Sequence, residues 1–411
     1  MAGDKLKVFF GEFLVLPVPL ELGGNWCSHG CNYCFANADK PHRQIDVNAV
    51  TSLLNNYHKR NGLDAKLLRL QYPVNVSNHV DPFSESNHPV LLPIMRLLTE
   101  LDIPIYFQTR GGNERAITET LDFIKPSVFY VSMTHQNDET RKWHEPNAPS
   151  MDFRFSLISE LVTRGHRVLV GLNPLVPEWI PEPEEMTARL KSLGVEGVWV
   201  ECLHLNRYQR DGMKEWQRKR LGPELIKRSM KLHPHEATWN HFLRARQAVI
   251  DSGMDVYTAG QPNESYFFDP YHETYPKTFP VVQDFVNFCY QEQIKVITWD
   301  IWSAFFYSGL PRVGETAQHM DYLRQAVHRE LSSVPYLTNR SANRFNYLRV
   351  LQYSYWDDKL RKLPFSPLTH SCFQPLKEDG RLLYQDEDGN LTTDKHKGMP
   401  IFLFTPILGE S

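Results

Sequence analysis

Short apolar runs alternate with helix-period segments from about residue 10 to about residue 300, and this alternation constrains the fold more than any other feature of the chain. A strand that returns parallel to its neighbour needs a long crossover, and a helix usually supplies it. Phe13–Val18, Leu68–Ser77, Ile103–Thr109, Ser127–Thr134, His166–Leu172 and Gly197–Cys202 read as strands. Helices read over Asp46–Tyr57, with Asp46 as N-cap, and over Val90–Glu100, Glu114–Ile124, Phe153–Arg164 and Pro183–Leu193. Six such units predict an α/β fold, a partial (β/α)6 TIM-like barrel whose chemistry sits at the C-terminal strand ends. Two later units, Thr238–Ser252 into Asp255–Thr258 and Val281–Gln291 into Lys295–Trp299, extend the barrel toward closure or cap it. Beyond residue 301 the alternation fails: Thr316–Leu331 reads as a helix, and Asp386–Asn390 as a turn between hairpin strands. The expected division is 1–202 as core, 203–300 as a basic insertion with further β/α units, and 301–411 as an aromatic-rich, irregular C-terminal region.

The loop after the first strand holds three of the six cysteines within eight residues, in Asn25-Trp-Cys27-Ser-His-Gly-Cys31-Asn-Tyr-Cys34-Phe35. Thiolates at such short spacing ligate a metal or an iron–sulfur cluster more often than they pair as disulfides in a chain without a secretory signal. A cubane 4Fe–4S cluster has four irons, so three thiolates leave one iron open to a substrate or cofactor. A structural zinc wants four protein ligands, and His29 would be the fourth; both readings stand at this point. Cys202, Cys289 and Cys372 are scattered and read as buried small hydrophobes.

Composition matters mainly for what it excludes. The net charge of −3 provides no global basic field for a polyanion, so any such contact needs a local patch. No run reaches the ~20 apolar residues of a spanning helix. Phe13–Leu20 imitates a signal-peptide core, but Glu12 borders it and Pro17 and Pro19 interrupt it. A cytoplasmic, reducing location follows, the host's cytoplasm if the chain is viral.

The C-x3-C-x2-C spacing with Tyr33 before the third cysteine resembles the radical S-adenosylmethionine (SAM) superfamily. Three more stretches narrow the resemblance: Val76-Ser-Asn-His-Val-Asp81-Pro-Phe, Phe107-Gln-Thr-Arg110, and Glu145-Pro-Asn-Ala-Pro-Ser-Met-Asp-Phe-Arg154 followed by Leu172-Asn-Pro-Leu-Val-Pro177. As an ordered set over residues 25–180 they are similar to the spore photoproduct lyase group. The resemblance implies a 4Fe–4S cluster on Cys27, Cys31 and Cys34, with SAM at the open iron and a reductant such as flavodoxin or ferredoxin. It implies cofactor contacts at Tyr33, Ser77, Asn78, Arg110, Ser132, Glu145 and Arg154. Arg110 would pair with the SAM carboxylate, where the lyases carry a lysine. Bland readings stand beside these: Arg154 pairs with Glu145, Asp81 forms a turn before Pro82, and Ser132 is a plain strand hydroxyl. The lyases also carry a hydrogen-donating cysteine where Asn78 stands here, so base modification or rearrangement is implied in place of photoproduct repair. Viral pathways that elaborate thymidine in DNA are one home for such an enzyme.

Two basic and aromatic segments are candidates for a DNA substrate. Residues 207–231 hold nine basic residues against three acids, with Tyr208 and Trp216 interleaved; residues 340–362 hold a second set. A solvated helix face is the bland reading of either. Tyr257, as a hydrogen-atom relay, and Asp300, as an amine ligand, join Asn78 as catalytic candidates, provided their strands enter the barrel. The histidines at 204, 233 and 235 are too irregularly spaced to read as a metal site. The rival functions are a radical SAM enzyme acting on a small molecule or peptide, a zinc-stabilised nucleic-acid-binding module without catalysis, and a cluster-binding scaffold without activity.

Overall fold

The computed structural model describes residues 7–8, 20–23, 26–34, 45–60, 63–69, 71–76, 80–203, 205, 207–230, 236–257, 282–308 and 372–406. Described residues up to 257 belong to one compact unit and those from 282 to another.

The first unit is built on an eight-stranded sheet in strict chain order. A short β1 (Lys7–Val8) runs antiparallel to β2 (Leu20–Leu22). From β2 the ladder is parallel through β3 (Val74–Val76), β4 (Ile105–Thr109), β5 (Val128–Ser132), β6 (Arg167–Leu175), β7 (Gly197–Cys202) and β8 (Asp255–Tyr257). Parallel strands in sequential order let the crossover helices cover one face and curl the sheet into part of a barrel. The crossovers carry α1 (Val47–Asn56), α2 (Leu63–Arg69), α3 (His88–Glu100), α4 (Glu114–Leu121), α5 (Asp138–His144), α6 (Met151–Thr163) and α7 (Pro183–Ser192). Between β7 and β8 lie α8 (Arg207–Gly212), α9 (Glu215–Leu221), α10 (Pro223–Ser229) and α11 (Glu236–Asp251).

Parallel register puts paired residues on the same face of the sheet. One face reads Leu20, Val74, Phe107, Phe129, Val168, Val198 and their alternates, apolar except for Thr109 at the end of β4 and suited to helix cover. The other reads Glu21, Asn75, Tyr106, Gln108, Tyr130, Trp199 and Tyr257, a polar and aromatic barrel interior. Local capping fixes where the helices begin. Asp46 accepts from Ala49 N at 2.9 Å, Asn113 from Arg115 N at 3.0 Å, Asn137 from Thr140 N at 3.0 Å and Ser150 from Phe153 N at 3.2 Å.

Three elements depart from the sequence reading. Phe13–Val18 lies outside the described residues, and the strand leading to the cysteine loop is β2, which starts only after Pro19, a residue with no N–H for a ladder. Leu68–Ser77 divides into the end of α2 and β3, joined through Gln71 at φ 61°. The apolar run there fitted either element, and Pro73 sets the boundary. Of the two late strands, β8 extends the barrel, but β9 (Val296–Ile297) pairs antiparallel with β16 (Phe402–Phe404) in the second unit, so Lys295–Trp299 does not lengthen the parallel sheet.

The second unit packs helices Val282–Gln291 and Trp299–Ser308 with short antiparallel strands. These strands are β10 (Phe373–Pro375), β11 (Lys377–Glu378), β12 (Arg381–Leu382), β13 (Tyr384–Gln385), β14 (Leu391–Thr392) and β15 (Met399–Pro400), with β16. Phe285, Trp302, Phe373 and the thiols Cys289 and Cys372 are buried in it. The expected Asp386–Asn390 turn joins β13 to β14, with the Asp386 carboxylate accepting from Asp388 N at 3.0 Å and Asn390 N at 2.7 Å. The helix expected over 316–331 lies outside the described residues.

Candidate active site

The cysteine loop leaves β2 at the C-terminal end of the parallel strands, where this architecture collects its chemistry. Cys31 is buried, and Cys27 and Cys34 are half-buried. Burial, with Asp81 adding to it, pushes the Cys27 thiol up to about 11, and burial raises Cys31 well above its ordinary value against the pull of Arg110. Bare thiolates are therefore disfavoured here, and a cationic group bound to the sulfurs would reverse that.

Two buried carboxylates organise the surroundings. Asp81 accepts from Thr109 Oγ1 at 2.9 and 3.0 Å, from Phe83 N at 2.9 Å and from Arg110 N at 2.7 Å. His29 Nε2 lies 3.0 Å from its Oδ2. Asp81 thus joins the cysteine loop to the end of β4, and His29, the zinc ligand of one sequence reading, is tied into that support. Burial opposes ionisation of Asp81, but the His29 ring and the two backbone N–H groups outweigh it and hold the carboxyl below its usual range.

Glu145 is the second organiser and is wholly buried. It accepts from Thr134 Oγ1 at 2.8 Å, from Arg110 Nε at 3.1 Å, and from Tyr33 OH and Arg154. Arg154, also 0% exposed, donates from NH1 to the Ser132 carbonyl at 3.0 Å. Burial raises the cost of charge on Glu145, yet Arg154 and Arg110 hold its carboxyl well below the ordinary range. Arg110 donates from NH2 to Tyr33 OH at 3.2 Å and stays 23% exposed. Glu145 and Arg154 are therefore an inner support, and Arg110 and Tyr33 are what it positions. Gly111 and Gly112 follow Arg110 at positive φ; a Cβ on Gly112 would lie 2.1 Å from Phe83 Cβ.

The rest of the loop is clamped from two directions. Asn32 N donates to the His144 carbonyl at 3.0 Å, and Asn147 N to the His29 carbonyl at 3.2 Å. Gln217 of α9, itself buried, donates to the Asn32 carbonyl at 3.3 Å. Cys31 and Tyr33 share an apolar cluster with Val176, Trp179, Leu205, Met213 and Leu221, so the insertion after β7 covers the loop directly. Trp179 stacks on His135 at 4.6 Å and contacts His144 at 4.2 Å and Tyr33 at 5.3 Å. Burial depresses His135 to about 3 and His144 to about 4, so both rings are neutral at pH 7.

Ser132 is buried on the inner face at the end of β5. Ser77 and Asn78 lie outside the described residues, as do His204, His233 and His235 and the basic segment 340–362. Tyr257 is buried, its ring over Gly197 at the start of β7. Asp300 is exposed in the first turn of helix Trp299–Ser308, in the second unit. Of the basic segment 207–231, residues 207–229 carry α8 to α10, and Lys231 lies outside the described residues. Part of its charge is spent locally: Arg228 pairs with Glu178 at 2.8 Å and Arg210 with Asp211 at 2.7 Å. Arg220 instead lies 5.2 Å from the Trp143 ring and 5.6 Å from the Trp216 ring. Trp143 Nε1 donates to the Arg220 carbonyl at 3.0 Å, and Arg220 NH1 to the Trp143 carbonyl at 3.3 Å. Both indoles stay open, Trp143 at 54% and Trp216 at 40%. Each neighbours a residue that grips Asn32, so the pair sits on the rim of the cysteine site.

Sequence reasoning missed Trp179, His135, His144 and Gln217, whose partners are distant in the chain. It also missed Glu201, which accepts from Trp199 Nε1 at 2.9 Å and Asn173 Nδ2 at 3.1 Å inside the barrel. A glutamate at the end of an apolar strand was the available signal.

No family model matches the chain, and no curated protein does. Among solved structures, the chain is similar to a spore photoproduct lyase variant with dinucleoside spore photoproduct, at 13% identity and TM-score 0.45, over 59% of this chain and 76% of that one. It is similar to SuiB of Streptococcus suis bound to S-adenosylmethionine, at 16% identity and TM-score 0.40, over 63% and 56%. It is similar to methylornithine synthase (PylB), at 12% identity and TM-score 0.34, over 62% and 75%. Likeness at this level assigns no chemistry to any residue here.

Proposed function

We propose that this chain is a radical SAM enzyme that modifies or rearranges a substituent on a thymine-type base, with DNA as the carrier of that base. The observation that carries the reading is three thiols on one loop at the catalytic end of a parallel partial barrel, beside an arginine that a buried glutamate holds in place. The donor set fits a 4Fe–4S cluster: Cys27, Cys31 and Cys34 are three soft ligands, and burial leaves the Cys27 and Cys31 thiolates in need of positive charge nearby. Once loaded and reduced by a flavodoxin or ferredoxin, such a centre with SAM at its open iron supplies a 5′-deoxyadenosyl radical able to take hydrogen from an unactivated C–H bond.

The chain's own residues do the rest. Arg110 offers a guanidinium to the SAM carboxylate, with one edge fixed by Glu145 and the Tyr33 hydroxyl. Ser132, Ser77 and Asn78 serve as further polar contacts for the cofactor, and Glu145 and Arg154 act through Arg110 and Tyr33. Asp81 locks the cysteine loop onto the end of β4, so thiols and guanidinium keep one spacing. The insertion over 205–230 shields the loop from water, which protects a reactive intermediate from competing donors. The open Trp143 and Trp216 indoles, with Arg220 between them, supply base-stacking faces and charge for a nucleic-acid strand. A base in a duplex would have to flip out to enter the barrel. The location proposed is the cytoplasm; no described helix is long and apolar enough to cross a membrane.

Anaerobic reconstitution tests the reading. The protein takes up about four irons, forms 5′-deoxyadenosine from SAM on reduction, and leaves a nucleoside of altered mass in DNA digests. A colourless zinc protein, or an iron protein that leaves SAM intact, would overturn it.

A further inference from the structure

The inner face of the sheet carries a second polar constellation that the cysteine site leaves unused. Glu201 stands near the C-terminal end of β7, on the inner face with Trp199. Its Oε2 receives both the Trp199 indole N–H at 2.9 Å and the Asn173 amide at 3.1 Å. Asn173 in turn hydrogen-bonds the Tyr130 hydroxyl. It lies where the β6–β7 register shifts between Leu172 and Leu175, and such irregularities re-aim a side chain beside active sites. Gly171 makes room for Tyr130, whose hydroxyl a Cβ there would overlap. Trp199, Asn173 and Glu201 are all half-buried, within reach of a molecule entering the barrel.

The chemistry of this set is specific. An ionised carboxylate only accepts hydrogen bonds, and two oxygens have room for about four donors. Toward a ligand, a carboxylate reads an N–H or an O–H. The aromatic rings of Trp199 and Tyr130, both bonded into the set, suit a flat ring. A thymine-type ring has one imide N–H between two carbonyls. Tyr130 stands next to Ser132 and within electrostatic reach of Arg110, so the constellation continues the cysteine site into the barrel.

We propose that Glu201, positioned by Trp199 and Asn173, recognises the substrate base by accepting its imide N–H. This rests on the reading of a thymine-type base as substrate and names the atom by which it is read.

The test uses the full-length, anaerobically reconstituted chain. A fluorescent oligodeoxythymidylate and its counterpart bearing N3-methylthymine have the same phosphates and stacking faces, and differ in the imide N–H. Wild type should bind the unmethylated strand about tenfold or more tightly, the scale on which a site punishes a missing donor. Glu201→Leu should bind both strands alike, whereas Glu201→Gln, which keeps an acceptor, should still discriminate. Equal binding of both strands by wild type would overturn the assignment while leaving DNA as the substrate. Loss of SAM affinity in Glu201→Leu with discrimination intact would also overturn it and move Glu201 to the cofactor. No binding of either strand would remove the DNA reading and this inference together. Formation of 5′-deoxyadenosine without nucleic acid reports on the radical chemistry alone.

Discussion

Glu145 is the residue on which the site's geometry most depends, because four side chains converge on a carboxylate with no access to water. Removing it leaves Arg154 charged and fully buried without its partner, and breaking a buried pair costs about 3–5 kcal/mol. Glu145→Ala should therefore lower unfolding stability by that order, read as a shift in the urea midpoint. The same group predicts a pH dependence. Its native pKa lies well below the ordinary 4.5. The stability it contributes is complete above that value and is lost as the pH falls through the lower native pKa. Glu145→Gln should flatten the acid limb of the stability profile, and a variant profile parallel to the wild type's would contradict this role. Arg110→Ala tests the other end of the pair: SAM affinity should fall by about tenfold or more while iron content is unchanged, since a charged bidentate contact is worth more than 1.4 kcal/mol. Unchanged affinity would remove the carboxylate assignment.

At the scale of elements, the turn after β4 and the α5–α9 contact carry separate predictions. Gly112 sits at φ 56°, with Phe83 backbone and Cβ where a side chain would go. Gly112→Ala should destabilise by about 1–2 kcal/mol for the left-handed backbone and about 1–3 kcal/mol for overpacking, measured by thermal unfolding. Across α5 and α9, Trp143→Ala should weaken oligonucleotide binding about tenfold with little change in salt dependence, because stacking, not phosphate charge, is removed. A steep change in salt slope alone would argue against stacking. The elements themselves were largely legible. Where β-branched and aromatic residues run between caps, as in β4, β5 and β7, strand and site position followed from the pattern. The 63–77 region was not, because a run rich in leucine fits a buried helix as well as a strand. β9 was legible as a strand, but its pairing was not, because its partner β16 lies about a hundred residues downstream. Individual site residues such as Tyr33, Arg110 and Glu145 could be named from motifs. Their common dependence on Glu145 could not, because contacts spanning 112 positions from Tyr33 and 35 from Arg110 leave no periodic trace.

For the first unit as a whole, the coupling runs between the cysteine loop and the insertion that covers it. The residues from 205 to 230 bury Leu205, Met213 and Leu221 against Cys31 and Tyr33, and Gln217 reaches the loop backbone. The three short helices α8 to α10 are too brief to persist alone, since isolated helices under about 12 residues are marginal in water. Their order is borrowed from the loop. Burial resists ionisation of Cys27 and Cys31, so on the proposed reading uptake of a metal centre by the loop would link loading to loop order. Stripping the iron with a chelator should therefore loosen this insertion before it loosens the sheet. Trypsin offers a direct readout, because Arg218, Lys219, Lys227 and Arg228 all lie there. The apo protein should be cut first between 214 and 230, with the β2–β7 core surviving longer, and the reconstituted protein should resist at those bonds. Cys31→Ala, which cannot complete the donor set, should behave as the apo form under either condition. Equal cleavage of apo and loaded protein at these sites would mean that the insertion holds itself together, and that its packing on Cys31 and Tyr33 is incidental to the centre it covers.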